Sequence, residues 1–251
     1  MARNYTKHLA PGLRPAARAL CDALRIGTGD RVLDVACGPG TVSFEAARLG
    51  AAQVTGIDYS PEMVALARRE GAGLGHVEFL EGDATALPIL SESFDVAVSA
   101  FGIIFAPQPR LAVAELHRAV TADGRAGIVT WPRSGNMGRY YEVVFQHITK
   151  PEQGFDPYAW GEVENARKWF GEWFGYLEFT PLDVPYDAPT PAEAWDTLKI
   201  ASGRVAMAYP KLDPDAQKRM DAAMIDYFGG FTVAGGKVHW PREALMVTGN
   251  K

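Results

Sequence analysis

Two cysteines, Cys21 and Cys37, are all the chain has in 251 residues. Neither belongs to a CxxC pair, and no His stands at metal-ligand spacing from either. The reading is therefore two reduced thiols and no metal site. Runs of Lys and Arg are absent too, and the net charge is −5. No electrostatic case for a nucleic-acid partner exists. No apolar run approaches the ~20 residues that span a bilayer. The opening "MARNYTKHLAPGLRP" lacks the apolar core of a signal peptide, so a cytoplasmic protein without a membrane span is expected. Internal repeats and low-complexity segments are likewise missing. What remains is an ordinary globular composition, 47% hydrophobic and 22% charged, with chain enough for one sizeable core over residues 1–251.

Leu13, Ala17, Leu20 and Leu24 recur at helical spacing, and "GTGD" ends that segment. From Arg31 strands and helices alternate. "RVLDVA" reads as a strand, "TVSFEAARLG" as a helix and "QVTGIDY" as a strand. A helix follows Ser60, which suits an N-cap before Pro61 and Glu62. "HVEFLEGDA" and "FDVAVSAFG" read as strands, "PRLAVAELHRAV" as a helix and "RAGIVTW" as a fifth strand. Such alternation predicts a parallel sheet with helices on both faces. Ligands of these folds bind outside the carboxyl ends of the strands.

After Pro132 the rhythm changes. Helices are expected at about Met137–Ile148 and Glu162–Phe174, a sixth strand at 176–187, and a last strand at 240–250. Between those strands two more helices are expected, with Thr190 and Asp213 as caps.

Between the first strand and its helix stands A-C-G-P-G-T, starting at Ala36. Gly38 and Gly40 permit a sharp turn and a close backbone approach to a ligand. The string lacks the third glycine of the dinucleotide fingerprint G-x-G-x-x-G. Asp34, just before the turn, would repel a pyrophosphate but suits an ammonium group. Asp58 ends the second strand, where a carboxylate takes ribose hydroxyls. Asp83 ends the third strand, where a carboxylate accepts from an adenine amino group. An amino acid, a ribose and an adenine together make S-adenosylmethionine.

The stretches "VLDVACGPGTVS", "VTGIDYSPEMVALAR", "EFLEGDATALP", "FDVAVSAFGIIFAPQP" and "ELHRAVTADGRAGIVTW" resemble class I S-adenosylmethionine-dependent methyltransferases. The likeness is greatest to the small-molecule group of ubiquinone/menaquinone-type and natural-product enzymes, and covers Arg31 to Trp131. It implies an α/β fold: a doubly wound, seven-stranded, mostly parallel Rossmann-like sheet. A helical cap would lie over the carboxyl ends of the strands. Residues 1–28 would form an N-terminal helical lid, 31–131 the cofactor core, and 132–175 and 188–236 the substrate cap. It also implies that Asp34, Gly38 and Gly40 surround the methionine part of the cofactor. Ala36 stands where many relatives have Gly. Asp58 would bind the ribose, Tyr59 and Met63 pack on the adenine, Asp83 and Ala84 meet its edge, and Ser99 and Phe101 lie near the sulfur. S-adenosylhomocysteine would be the product.

A sulfonium methyl is a strong electrophile, so alignment of the acceptor is the main demand. A general base is needed only where the acceptor keeps its proton at neutral pH. His147 and Tyr140 are the candidate catalytic residues, and Tyr5, His8, Met137, Tyr141 and Trp160 the candidate substrate contacts. The cap aromatics serve equally to knit the cap onto the sheet. "APQP" from Ala106 is not the D/N-P-P-Y string of base or glutamine methylation. The expected activity is methyl transfer to oxygen or carbon, less readily nitrogen, of a small apolar or aromatic metabolite. Two alternatives stand beside it: cyclisation with the cofactor as a structural element, and a non-catalytic partner subunit. A homodimer through the cap is compatible with the sequence.

Overall fold

The computed structural model describes residues 2–149 and 156–251. The chain opens with α1 (Ala2–His8) and α2 (Arg14–Ala23). The alternating core follows: β1 (Arg31–Val35), α3 (Thr41–Arg48), β2 (Gln53–Asp58), α4 (Pro61–Glu70), β3 (Val77–Glu81), β4 (Phe94–Ala100), α5 (Pro109–Ala119) and β5 (Val120–Thr130). Beyond it lie α6 (Asn136–Val144), α7 (Val163–Phe170), β6 (Gly175–Asp183), β7 (Tyr186–Ala188), α8 (Pro191–Ala201), α9 (Gly203–Ala208), α10 (Pro214–Gly229), β8 (Val238–Trp240) and β9 (Glu243–Asn250).

Seven strands form one sheet among the described residues, in the order β3-β2-β1-β4-β5-β9-β6. Every pairing from β3 to β5 is parallel, and β9 alone runs against its neighbours. This is the doubly wound, mostly parallel sheet expected. Central strands are covered on both faces, so they read as apolar runs: Val32, Leu33, Val35, Val96, Ala97 and Val98 are all buried. The helix starts follow local chemistry. Ser60 accepts from Met63 N, Thr190 from Glu193 N, and Asp213 from Asp215 N and Ala216 N, each ahead of a proline.

Residues 1–28 are not a single lid. α2 packs on α3 and on the sheet, so tightly that a Cβ at Gly127 of β5 would stand 2.9 Å from Leu20. α1 and the following Leu9 reach the cap, α1 packing against α8 and also touching α4. The segment 132–175 divides in the same way. α6 joins the cap with α8 and α10, whereas α7 puts Ala166 and Phe170 into the main core beside α5 and β6. Residues 150–155 of that segment lie outside the described residues.

The strand expected at 176–187 is two. Sheet pairing ends at Asp183, because Pro185 has no N–H to continue it. The chain resumes as β7, which pairs with β8 in a separate two-stranded ladder. The expected strand 240–250 breaks likewise at Pro241, leaving Trp240 to β8 and starting β9 at Glu243. No described helix is long and apolar enough to cross a membrane.

Two apolar clusters result. The larger surrounds the sheet; the smaller is the interior of the cap, built on Tyr140, Trp195, Met224, Phe228 and Trp240. Tyr5, Met137 and Tyr141 are half-buried and pack against both, so they mark the seam between sheet and cap.

Candidate active site at the carboxyl ends of the strands

Asp34 lies in β1 and is 1% exposed. Its Oδ2 accepts from Ser43 N at 2.9 Å and Ser43 Oγ at 2.6 Å. Its Oδ1 is buried without a partner. Burial outweighs the two bonds and pushes the carboxyl up to about 7. The turn that follows places Ala36 (φ 54°), Gly38 (φ 54°) and Gly40 (φ 90°) in left-handed backbone. At Gly40 a Cβ would also stand 2.9 Å from the Phe44 ring.

Asp58 ties the first two turns together. Its Oδ2 accepts from Gly38 N at 2.7 Å and its Oδ1 from Ser60 N at 2.8 Å. Burial still raises its pKa, against both backbone bonds. The turn after β4 presses on the turn after β1, and a Cβ at Gly102 would lie 2.2 Å from the Ala36 carbonyl oxygen. Phe101 (φ 61°) stacks on Trp131, with centroids 4.0 Å apart and planes 15° apart. Asp34, Ala36, Gly38, Gly40, Asp58 and Phe101 thus form one connected edge.

Other candidates lie further out or are engaged elsewhere. Ser99 is buried, and its Oγ accepts from Ile103 N at 3.0 Å, which fixes the turn. Asp83 is exposed; its Oδ1 accepts from Thr85 N and Oγ1, which holds its carboxyl below the usual range. Ala84 and Met63 are half-buried, and Tyr59 is 81% exposed. Tyr5 of α1 sits within electrostatic reach of both halves. Burial raises its phenol to about 12, Arg242 lowers it and Asp58 raises it. His8 is half-buried at the end of α1.

One catalytic candidate, Tyr140, and one substrate candidate, Trp160, fall outside this arrangement. Tyr140 is 1% exposed within the cap, ringed by Tyr141, Phe228 and Trp240, and burial drives its phenol well above the ordinary value. A hydroxyl so placed is a poor base. His147 lies past the end of α6, since the helix stops at Val144. Trp160 is fully buried in the sheet core, with its carbonyl accepting from Thr130 Oγ1 at 3.2 Å and its ring against Trp169. It packs rather than lines a pocket, as the knitting role requires.

Sequence reasoning missed Arg242, and it marked Gly102 only by its place after the fourth strand. Gly102 is spaced as the residue after a strand end, yet its obligate smallness depends on contact with Ala36, far away in the chain. Arg242 stands in "WPREALM", an isolated cation before an apolar strand, and only the fold shows that it is buried. No cluster of three or more metal-ligating side chains occurs among the described residues.

This geometry agrees with the comparisons to known proteins. The methyltransferase domain family matches residues 32–124. The chain is 37% identical over 178 residues to a demethylmenaquinone methyltransferase of Thermus thermophilus, covering 69% of this chain and 73% of that one. It is 28% identical over 250 residues to an uncharacterised protein of Mycobacterium tuberculosis, covering 95% and 88%. Among solved structures, the YcgJ protein of Bacillus subtilis superposes with a TM-score of 0.65 at 18% identity, covering 94% of this chain and 98% of that one. With the sheet order, the glycine turn and the relatives in agreement, the chain belongs to the class I S-adenosylmethionine-dependent methyltransferases of small-molecule type.

Proposed function

We propose that this protein transfers a methyl group to an oxygen or carbon of a small apolar or aromatic metabolite. The observation that carries the reading is Asp34 Oδ1, a fully buried carboxylate oxygen with no partner at the end of β1. An unpaired buried carboxylate is costly, and a ligand ammonium removes that cost. The residues therefore fit S-adenosylmethionine: Asp34 and the Ala36–Gly40 backbone for its amino acid end, Asp58 for its ribose. Asp83 and Ala84, with Tyr59 and Met63, fit its adenine. Bound there, S-adenosylmethionine would supply an electrophilic sulfonium methyl group to an acceptor held beside it.

The protein's own part is orientation. Tyr5, Met137 and Tyr141, packed between the sheet core and the cap interior, offer an apolar seam for the acceptor. Tyr141 bonds Ser202 Oγ at 3.1 Å and brings the polar tip to that seam. A quinone-type or other aromatic acceptor suits such walls, and the Thermus relative is named for demethylmenaquinone.

Calorimetric titration with S-adenosylmethionine and S-adenosylhomocysteine tests the cofactor half of this reading. Micromolar binding of both is expected, weakened about a hundredfold in Asp58→Ala, which removes the ribose acceptor. Binding of neither by the native protein would sink it. A metabolite screen with a deuterated methyl donor then reads the acceptor by mass.

A further inference from the structure

Arg242 is 4% exposed and forms no ion pair among the described residues. Its Nε donates to Val184 O at 2.8 Å and its Nη2 to Pro185 O at 3.4 Å. Three rings surround the guanidinium, with Trp131, Tyr186 and Trp240 centroids 5.5, 5.6 and 5.7 Å from its central carbon. Burial lowers its pKa to about 10, so it keeps its charge at neutral pH. Ring faces, two carbonyls and the Asp183 carboxylate at a distance offset part of the cost of a buried cation, but among the described residues no carboxylate pairs with it directly.

Holding the bend at Val184–Pro185 does not require a guanidinium. A neutral donor serves two carbonyls at lower desolvation cost. Of five N–H donors, Nε and one on Nη2 are engaged. The edge between Nη1 and Nη2 keeps the planar fork that fits a carboxylate with two parallel bonds.

Position connects this fork to the reaction. Leu245 of β9 pairs with Thr130 of β5, so Arg242 stands just beyond the carboxyl end of β5. It lies over Trp131, the ring on which Phe101 stacks. Tyr5, a seam residue, lies within electrostatic reach of both Arg242 and Asp58.

We propose that the methyl acceptor is an aromatic acid whose carboxylate is held by the Nη1–Nη2 edge of Arg242 between the rings of Trp131, Tyr186 and Trp240. The inference rests on the methyltransferase reading and names the acceptor class for it. Arg242 acts as a specificity residue and takes no part in the bond changes.

The test is calorimetry on the full chain saturated with S-adenosylhomocysteine. The probes are benzoate, cinnamate and 2-naphthoate, each beside its neutral carboxamide. At least one carboxylate is expected to bind the native protein about tenfold or more tighter than its amide. The preference should vanish in Arg242→Gln and fall in Arg242→Lys, which keeps the charge but not the fork. Equal binding of acids and amides, no acid binding at millimolar concentration, or a preference that survives in Arg242→Gln overturns the proposal. If Arg242→Gln fails to fold by circular dichroism, the native acid–amide pairs and Arg242→Lys decide. Failure of the native protein to bind S-adenosylhomocysteine at all is a different result, and it removes the methyltransferase reading itself.

Discussion

The strand-end turns and the cap interior are built on opposite principles. At the strand ends the contacts run through backbone: Asp58 joins Gly38 N to Ser60 N, Asp34 holds Ser43 N, and Gly102 leaves no room beside Ala36 O. In the cap they run through rings, with Trp240 touching Tyr140, Tyr186, Phe228 and Tyr227 edge-on or tilted. Backbone contacts fix atoms to a fraction of an ångström and fail sharply. Ring packing supplies apolar area, and a loss there leaves a cavity confined to the cap. A site that places a small cofactor wants the first kind; a wall that accepts apolar surface is served by the second.

The largest expected effect breaks the two regions apart. Trp240 is fully buried, and its Nε1 donates to Tyr227 Oη at 3.2 Å. Trp240→Ala should cost about 4 kcal/mol of stability by cavity formation. Where the variant remains folded, its S-adenosylhomocysteine affinity should stay within about threefold of native, a free-energy change too small to reflect a damaged cofactor site. Gly102→Ala should cost about 3 kcal/mol by overpacking, because a Cβ meets a backbone oxygen that cannot move alone. It should also abolish micromolar binding, since the displaced partner is the Ala36 turn. Urea unfolding and calorimetry on both variants check the contrast. Loss of affinity in Trp240→Ala with retention in Gly102→Ala would reverse it.

That division also explains what could be read in advance. The strand-end turns are made by residues within a few positions of one another, so Asp34, Gly38, Gly40 and Asp58 carry their geometry in local order. Proline positions are equally local, yet Pro185 and Pro241 stand inside apolar stretches whose alternation reads as continuous strand, and only the pairing shows the break. The cap is a long-range object. Nothing beside Tyr140 in the chain says that Phe228 and Trp240 will enclose it, or that α6 ends before His147. The burial of Arg242 depends on β7 and β8 pairing across about fifty residues, and periodicity does not encode such a pairing.

A smaller effect sharpens the electrostatic side. Asp34 titrates near 7 in the folded protein because burial penalises its charge, and near 4 when unfolded. The folded state therefore binds the proton more tightly. The stability linked to this proton is fully present below about pH 4, is lost as pH rises through about 7, and is flat above. Asp34→Asn should remove this slope and gain about 1 kcal/mol at pH 8, because no buried charge remains. Its cofactor affinity should fall, since the ammonium loses its counter-ion. Native binding should in turn tighten as pH rises from 5 to 7, because the ammonium favours the ionised carboxylate. Urea titrations of both proteins at pH 5 and pH 8 isolate Asp34, because the other groups cancel in the difference.

The smallest effect is a change of sign between neighbours. Tyr140 and Tyr141 are consecutive on α6, with rings 4.9 Å apart at 90°. The Tyr141 hydroxyl bonds Ser202 Oγ at 3.1 Å, whereas the Tyr140 hydroxyl is buried without a partner. A buried unpaired hydroxyl costs free energy that phenylalanine does not incur, and a paired one contributes. Tyr140→Phe should therefore stabilise the protein by about 1 kcal/mol and leave methyl transfer unchanged. Tyr141→Phe should destabilise it by a similar amount and raise the KM of the acceptor, because its hydroxyl belongs to the seam. Thermal unfolding and steady-state kinetics on the two variants read this directly. A fall in kcat for Tyr140→Phe with stability retained would return Tyr140 to the chemistry, and with it the cap interior to the active site.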